Sequence, residues 1–295
     1  MDVFTKEDLV NFQPKHTTLV GIDSDGCMFD TMEEKQLRHF APLIVKHWDF
    51  QDIEEAVFDC VKFVWLYSVT RGLNRFANLL RFFDRLKTHP LVKDSEIELP
   101  DTTAFHEWVN SGEALSNSTL ATYLEKHPDL ELLRILQWSL AVNKSTDEMD
   151  PIPPFDYALK ALKKIHGSSD ALVVSQTMDD TLVAEWNLHG LSRYVDIIAG
   201  ASIGTKTESL NWAMKDHYDP KCAIMMGDAL GDMYAAQETG IWFYPILPGH
   251  ENASWQRFFE EDYDRFISGE FTSEYQQELI DAFTALLPET PPWES

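Results

Sequence analysis

From Phe155 onward, short apolar runs alternate with helical patterns, and that alternation restricts the chain more than any other feature. The segment Phe155–His166 carries Ala158, Leu159, Leu162 and Ile165 on one helical face. Residues 171–175 then read as a buried strand, 181–188 as a helix, 195–199 as a strand and 208–215 as a helix. A strand at 222–226, a helix at 233–238 and a strand at 241–246 complete the series. Alternating elements of this kind predict a parallel sheet with right-handed crossovers and helices on both faces. One more apolar run, Leu19–Ile22, stands far upstream and belongs to the same sheet. The predicted class is therefore α/β, a Rossmann-like parallel sheet.

Residues 34–150 have a different texture. Leu37, Phe40, Ile44 and Trp48 recur at helical spacing, as do Ile53, Val57, Val61 and Val64, and then Leu73, Phe76, Leu80 and Phe83. Leu130, Leu133, Leu136 and Leu140 extend the pattern, and these stripes are expected to form a core. No strand is persuasive there, so an all-helical domain is inserted between the first strand and the next. The expected boundaries are 1–33 and 151–295 for the α/β domain and 34–150 for the insertion, with Pro151–Pro154 closing it. Within the first of these, 251–295 forms a helical extension packed through Trp255, Phe258, Phe259, Phe266 and Phe283. The residues from Pro291 read as a loosely held tail.

Four strands of the predicted sheet deliver polar chemistry to one edge. The first ends in Asp23-Ser24-Asp25-Gly26, where glycine lets the backbone turn. The second ends in Ser175-Gln176-Thr177, and the third leads through Gly200–Thr205 to Lys206. The fourth runs into Gly227-Asp228-Ala-Leu-Gly231-Asp232. Open parallel sheets bind ligands at this edge. Two carboxylates 4 Å apart repel by roughly 4 kcal/mol at an effective dielectric of 20, so such a cluster demands a counter-charge. Oxygen ligands without His or Cys favour Mg²⁺, which takes carboxylates together with a substrate phosphate. The chemistry that uses such a set is phosphoryl transfer, here with a carboxylate nucleophile.

These motifs, in this order, resemble the haloacid dehalogenase-like (HAD) hydrolase superfamily, specifically the phosphatase/phosphoglucomutase-like branch with a helical cap inserted after the first motif. The resemblance covers residues 17–33 and about 153–247. It implies that Asp23 is the nucleophile and a Mg²⁺ ligand, and that Asp25 is the acid/base, with its backbone carbonyl on the metal. It implies further that Ser175 binds phosphoryl oxygens, that Lys206 neutralises charge, and that Asp228 and Asp232 complete the metal site. Gln176, beside Ser175, is a substrate-binding candidate. Two departures stand out: Cys27 occupies a position usually held by Thr, which predicts a less firmly held turn, and Ser24 replaces an apolar residue. The implied function is a Mg²⁺-dependent phosphatase of a small phosphorylated metabolite. The rivals are a phosphosugar mutase, or a catalytically silent protein that binds a partner through its cap.

Between residues 62 and 87 six Lys/Arg face a single acid, Asp84. Arg71, Asn74 and Arg75 would share one helical face, making Arg71 and Arg75 candidates for a second anionic group of the substrate. The formal net charge of −25 argues against nucleic-acid binding. No run approaches the roughly 20 apolar residues of a membrane span, and the N-terminus lacks a secretory pattern. Cys27, Cys60 and Cys222 lack metal-ligand spacing and read as reduced packing residues, which sets the expected location as cytoplasmic.

Overall fold

A computed structural model describes residues 4–215 and 217–294. The first three residues of the N-terminal reading and Ser295 of the predicted tail lie outside the described residues. The chain divides into two compact units, Met1–Met32 with Pro151–Leu286, and Glu33–Asp150 with Leu287–Ser295.

Among the described residues the first unit is built on five strands: β1 Leu19–Ile22, β2 Asp170–Val174, β3 Ile197–Ala199, β4 Ala223–Gly227 and β5 Trp242–Pro245. All pair in parallel, in the order β3-β2-β1-β4-β5. The α/β class read from the sequence is the observed one. Every strand residue but Trp242 is buried, as expected of a parallel sheet covered on both faces. The register pairs Ile22 with both Val173 and Met226, so the carboxyl ends of β1, β2 and β4 finish level. The order reverses across β1 and β4, which is where such sheets open a crevice. The crossover helices are Asp156–Ile165, Asp179–Leu188, Lys206–Met214 and Leu230–Thr239. The third begins two residues before its expected start because Thr205 and Glu208 form a capping box, a T-x-x-E signature in plain view in the sequence. In the C-terminal stretch of this unit Trp255, Phe258, Phe266 and Phe283 are buried and Phe259 partly so.

The second unit contains helices and no strand among the described residues. Ile44, Trp48, Ile53, Val57, Phe76, Leu80 and Phe83 lie in its core. The stripe expected on the helix Leu130–Asp147 is corrected. Its buried face is Leu132, Ile135, Trp138, Ser139 and Val142, whereas Leu130 is 85% exposed, Leu133 and Leu140 are exposed, and Leu136 is partly buried. Two apolar stripes compete on this helix, and the one carrying the largest side chain, Trp138, takes the interior. Leu73 is likewise exposed, since the helix starts only at Arg75.

The tail is also corrected. Residues 287–294 group with the helical unit, not with the α/β unit. The Trp293 ring packs edge-on to Phe63 and against His89, with centroids 5.8 and 4.8 Å apart. The Arg85 guanidinium donates to Glu294 Oε2 at 2.9 Å and to the Glu289 carbonyl at 3.0 Å. An aromatic anchor and a forked arginine outweigh the Pro-rich composition that suggested a loose end. No helix among the described residues is long and apolar enough to cross a membrane.

Candidate active site

The nucleophile candidate is fixed by the sheet itself. Asp23 N–H donates to the Met226 carbonyl at 3.0 Å, so the β1–β4 ladder runs one residue past the strand. The chain then turns: the Ser24 carbonyl accepts the N–H groups of Cys27, Met28 and Phe29, and Gly26 adopts φ 75°. Left-handed backbone is what glycine supplies without strain. The predicted weakness at Cys27 is answered by other atoms. Its carbonyl accepts the Trp255 indole N–H at 2.7 Å, and its thiol sits 3.8 Å from the Met226 carbonyl. Burial pushes that thiol's pKa up, with nearby Asp23 adding to the effect, so Cys27 is a packing residue. Ser24 accepts the Trp186 indole N–H at 3.0 Å, which gives the polar replacement a buried partner.

Asp23, Asp228 and Asp232 converge, one oxygen of each lying within 4.8 Å of the others. They are 6%, 2% and 0% exposed. Lys206, the first residue of its helix, places Nζ 2.9 Å from Asp23 Oδ1 and 2.5 Å from Asp232 Oδ1. The second oxygen of Asp232 accepts the Ala229 N–H at 3.1 Å. Burial pushes Asp23 up to about 6, with Lys206 pulling it back and Asp232 adding to the rise. Burial on its own would lower the Lys206 pKa, but the charges of Asp23 and Asp232 overcome that and hold it above the usual lysine range. Three buried carboxylates converge beside the Lys206 ammonium, and the donors are all hard oxygens. This donor set fits a divalent hard cation such as Mg²⁺.

Asp25 stands apart from that cluster and is differently held. Its Oδ1 accepts the Thr31 hydroxyl at 2.5 Å and its Oδ2 accepts the Thr177 hydroxyl at 3.0 Å. Ser175 is buried, and its Oγ accepts the Thr177 N–H at 3.2 Å. Gln176 is exposed and donates to the Gly204 carbonyl at 3.2 Å, tying the second loop to the third. The seven residues expected in this unit thus lie on the carboxyl edge of one sheet. Thr31 and Thr177 were missed. A hydroxyl eight residues past Asp23, or two past Ser175, carries no signal until the turn geometry is known.

Within the helical unit the expected basic face does not form. Asn74 is the helix N-cap, with its side chain accepting from Phe76 N–H and donating to the Leu115 carbonyl. Arg71 precedes the helix, is buried, and donates to the Leu66 carbonyl at 2.9 Å. Arg75 reaches Ser139 and, at 2.5 Å, Asn143, with its guanidinium 5.4 Å from the Phe40 ring centroid. Capping chemistry starts the helix at Arg75, so the three side chains never share a face.

An inserted helical unit and a polar site at the carboxyl edge of a five-stranded parallel sheet define a class of α/β proteins. A family model described as haloacid dehalogenase-like hydrolase matches residues 105–246. That range takes in Ser175, Lys206, Asp228 and Asp232, while Asp23 and Asp25 precede it. Over those residues the chain is similar to the haloacid dehalogenase-like hydrolases. Among solved structures it is similar to a provisional beta-phosphoglucomutase from Bacteroides vulgatus, with 14% identity, TM-score 0.50 and coverage of 90% of this chain and 97% of that one. A haloacid dehalogenase-like hydrolase from Streptococcus pneumoniae aligns at 19% identity and TM-score 0.41, covering 81% and 90%. A provisional phosphoglycolate phosphatase from Lactobacillus plantarum aligns at 10% identity and TM-score 0.49, also covering 81% and 90%. No curated protein matches the chain.

Proposed function

We propose that this protein is a Mg²⁺-dependent phosphatase that hydrolyses a small phosphorylated metabolite through an aspartyl phosphate on Asp23. One observation carries the reading: Lys206 bridges Asp23 and Asp232 beside Asp228, while Asp25 is held separately by two hydroxyls. Two carboxylates in one motif therefore have two environments and can take two roles. An Asp23 oxygen attacks phosphorus as the ester P–O bond breaks, and Asp25 gives its proton to the departing oxygen. Water then attacks the aspartyl phosphate, Asp25 takes the proton back, and inorganic phosphate leaves. Ser175 Oγ accepts from Thr177 N–H, which leaves its own hydrogen to donate to a phosphoryl oxygen. Lys206 neutralises charge on the nucleophile and the transferring group. Asp23, Asp228 and Asp232, with the Asp25 carbonyl, would hold Mg²⁺, which would offset the charge of the phosphate oxygens and favour ionised Asp23.

The test is phosphate release from a panel of phosphorylated metabolites with and without Mg²⁺. Release that needs the metal and disappears in Asp23→Asn supports the proposal. A panel without turnover, or full activity in Asp23→Asn, refutes it. An isomerised sugar phosphate in place of inorganic phosphate would assign a mutase.

A further inference from the structure

Thr177 stands where three strand-end loops meet. Its hydroxyl donates to Asp25 Oδ2 in the first loop, and its N–H donates to Ser175 Oγ in its own. Its carbonyl accepts the Ala201 N–H at 3.0 Å, in the loop that leads to Lys206. A Cβ built on Gly200 would fall 2.8 Å from that carbonyl oxygen, so the close approach depends on glycine. The neighbouring residues fasten the same two loops. Gln176 donates to the Gly204 carbonyl, and Asp179 Oδ2 accepts the Ser202 N–H at 3.2 Å. The loop carrying Thr177 is thus bonded rung by rung to the loop before Lys206, and Thr177 itself is half-buried.

A carboxyl group turns freely about its last torsion unless both oxygens are held. A general acid works only when its proton lies within hydrogen-bond reach of the atom it protonates. Asp25 is held by Thr31 on one oxygen and by Thr177 on the other. A hydroxyl can both donate and accept, so it can keep its bond as Asp25 gains and loses a proton. We propose that Thr177 is a positioning residue that sets the rotation of the Asp25 carboxyl and thereby aims its proton at the departing oxygen. This rests on the phosphatase reading above. When the ester P–O bond breaks, its electron pair stays on the departing oxygen, which takes the Asp25 proton if the group leaves as an alcohol. A group that leaves as a stable phenolate needs no such proton.

The experiment compares 2-glycerol phosphate with 2,4-dinitrophenyl phosphate in the full-length wild type, Thr177→Val and Thr177→Ser. Proton transfer is worth about 10²–10⁴ in rate, and a misaimed acid forfeits part of it. Thr177→Val should therefore lose about 10- to 100-fold in kcat on 2-glycerol phosphate. Its pre-steady-state burst of dinitrophenolate should stay close to the wild-type rate, and Thr177→Ser should restore the alkyl ester. An equal loss on both esters, or a serine variant as impaired as the valine one, overturns the positioning role while leaving the phosphatase reading intact. A wild type that releases phosphate from neither ester overturns that reading, and the positioning role with it.

Discussion

The fourth motif contains two glycines that the structure treats oppositely, and exchanging each for alanine tests the geometry of the site. A Cβ on Gly227 would lie 2.2 Å from Asp232 Cγ and 2.3 Å from Asp232 Oδ2. Ordinary contact begins near 3.4 Å, so Asp232 would have to retreat by about 1 Å. It has no slack, being fully buried and bonded to Lys206 and to Ala229 N–H. Overpacking costs about 1–3 kcal/mol, and weakening a hydrogen bond to a buried charge adds about 1 kcal/mol or more. Gly227→Ala should thus lose about 2–4 kcal/mol, and a displacement of that size should reduce turnover by about 10². Gly231 has nothing within 4 Å of its Cβ position and lies inside the helix Leu230–Thr239. Gly231→Ala should be neutral or gain up to about 1 kcal/mol. Urea unfolding followed by both circular dichroism and tryptophan fluorescence measures the difference, two probes being needed because two units need not unfold together. A Gly227→Ala protein as stable as wild type, or a Gly231→Ala protein equally damaged, would refute the argument that Asp232 occupies the space above Gly227.

Two further predictions concern the helical unit. Glu131 accepts the Trp48 indole N–H at 2.5 Å, and burial raises its pKa, only partly offset by that bond and by Arg134. Because the folded-state value lies above the unfolded one, ionisation opposes folding, and the stability this group contributes at low pH is lost as pH rises through the folded-state pKa. Glu131→Gln keeps an acceptor for Trp48, so it should match wild type near pH 4 and exceed it at pH 7; thermal melts showing the reverse order at pH 7 would contradict the burial argument. Trp293→Ala should cost about 1 kcal/mol by removing the half-buried ring from Phe63 and His89, and hydrogen exchange should accelerate at Arg85–His89. Unchanged exchange there would show that the tail is not bound to the helical unit.

How much of this was legible depended on whether local pattern or spatial competition decided the outcome. The five strands were readable because a sheet buried on both faces leaves short uninterrupted apolar runs. Phe155–His166 was readable because only one of its faces is apolar. The helix Leu130–Asp147 was misphased because leucine on one face and Leu132, Ile135, Trp138 and Val142 on another give the same period. Periodicity names a helix but does not choose between two stripes. The tail was misjudged for a related reason. Proline-rich composition describes the unbound segment, whereas its state is set by Arg85, Phe63 and His89, some two hundred residues upstream.

The site divides along the same line. Asp23, Asp228, Asp232 and Lys206 were legible because each follows a strand, and a parallel sheet brings every such position to one edge regardless of the rest of the chain. Charge makes them conspicuous, since buried carboxylates need a counter-charge and their spacing advertises the need. The groups that distinguish Asp25 from Asp23 are neutral hydroxyls, and a threonine in a loop has the same sequence appearance whether it caps a turn or holds an acid. Arg71 and Arg75 show the converse: two cations at a suggestive spacing, directed by a helix N-cap at Asn74 into carbonyls and side chains of their own unit. In this fold, then, spacing along the chain identifies residues whose position is imposed by the sheet. It fails for residues whose partners are chosen by the turns, and the different surroundings of Asp23 and Asp25 are written in those turns.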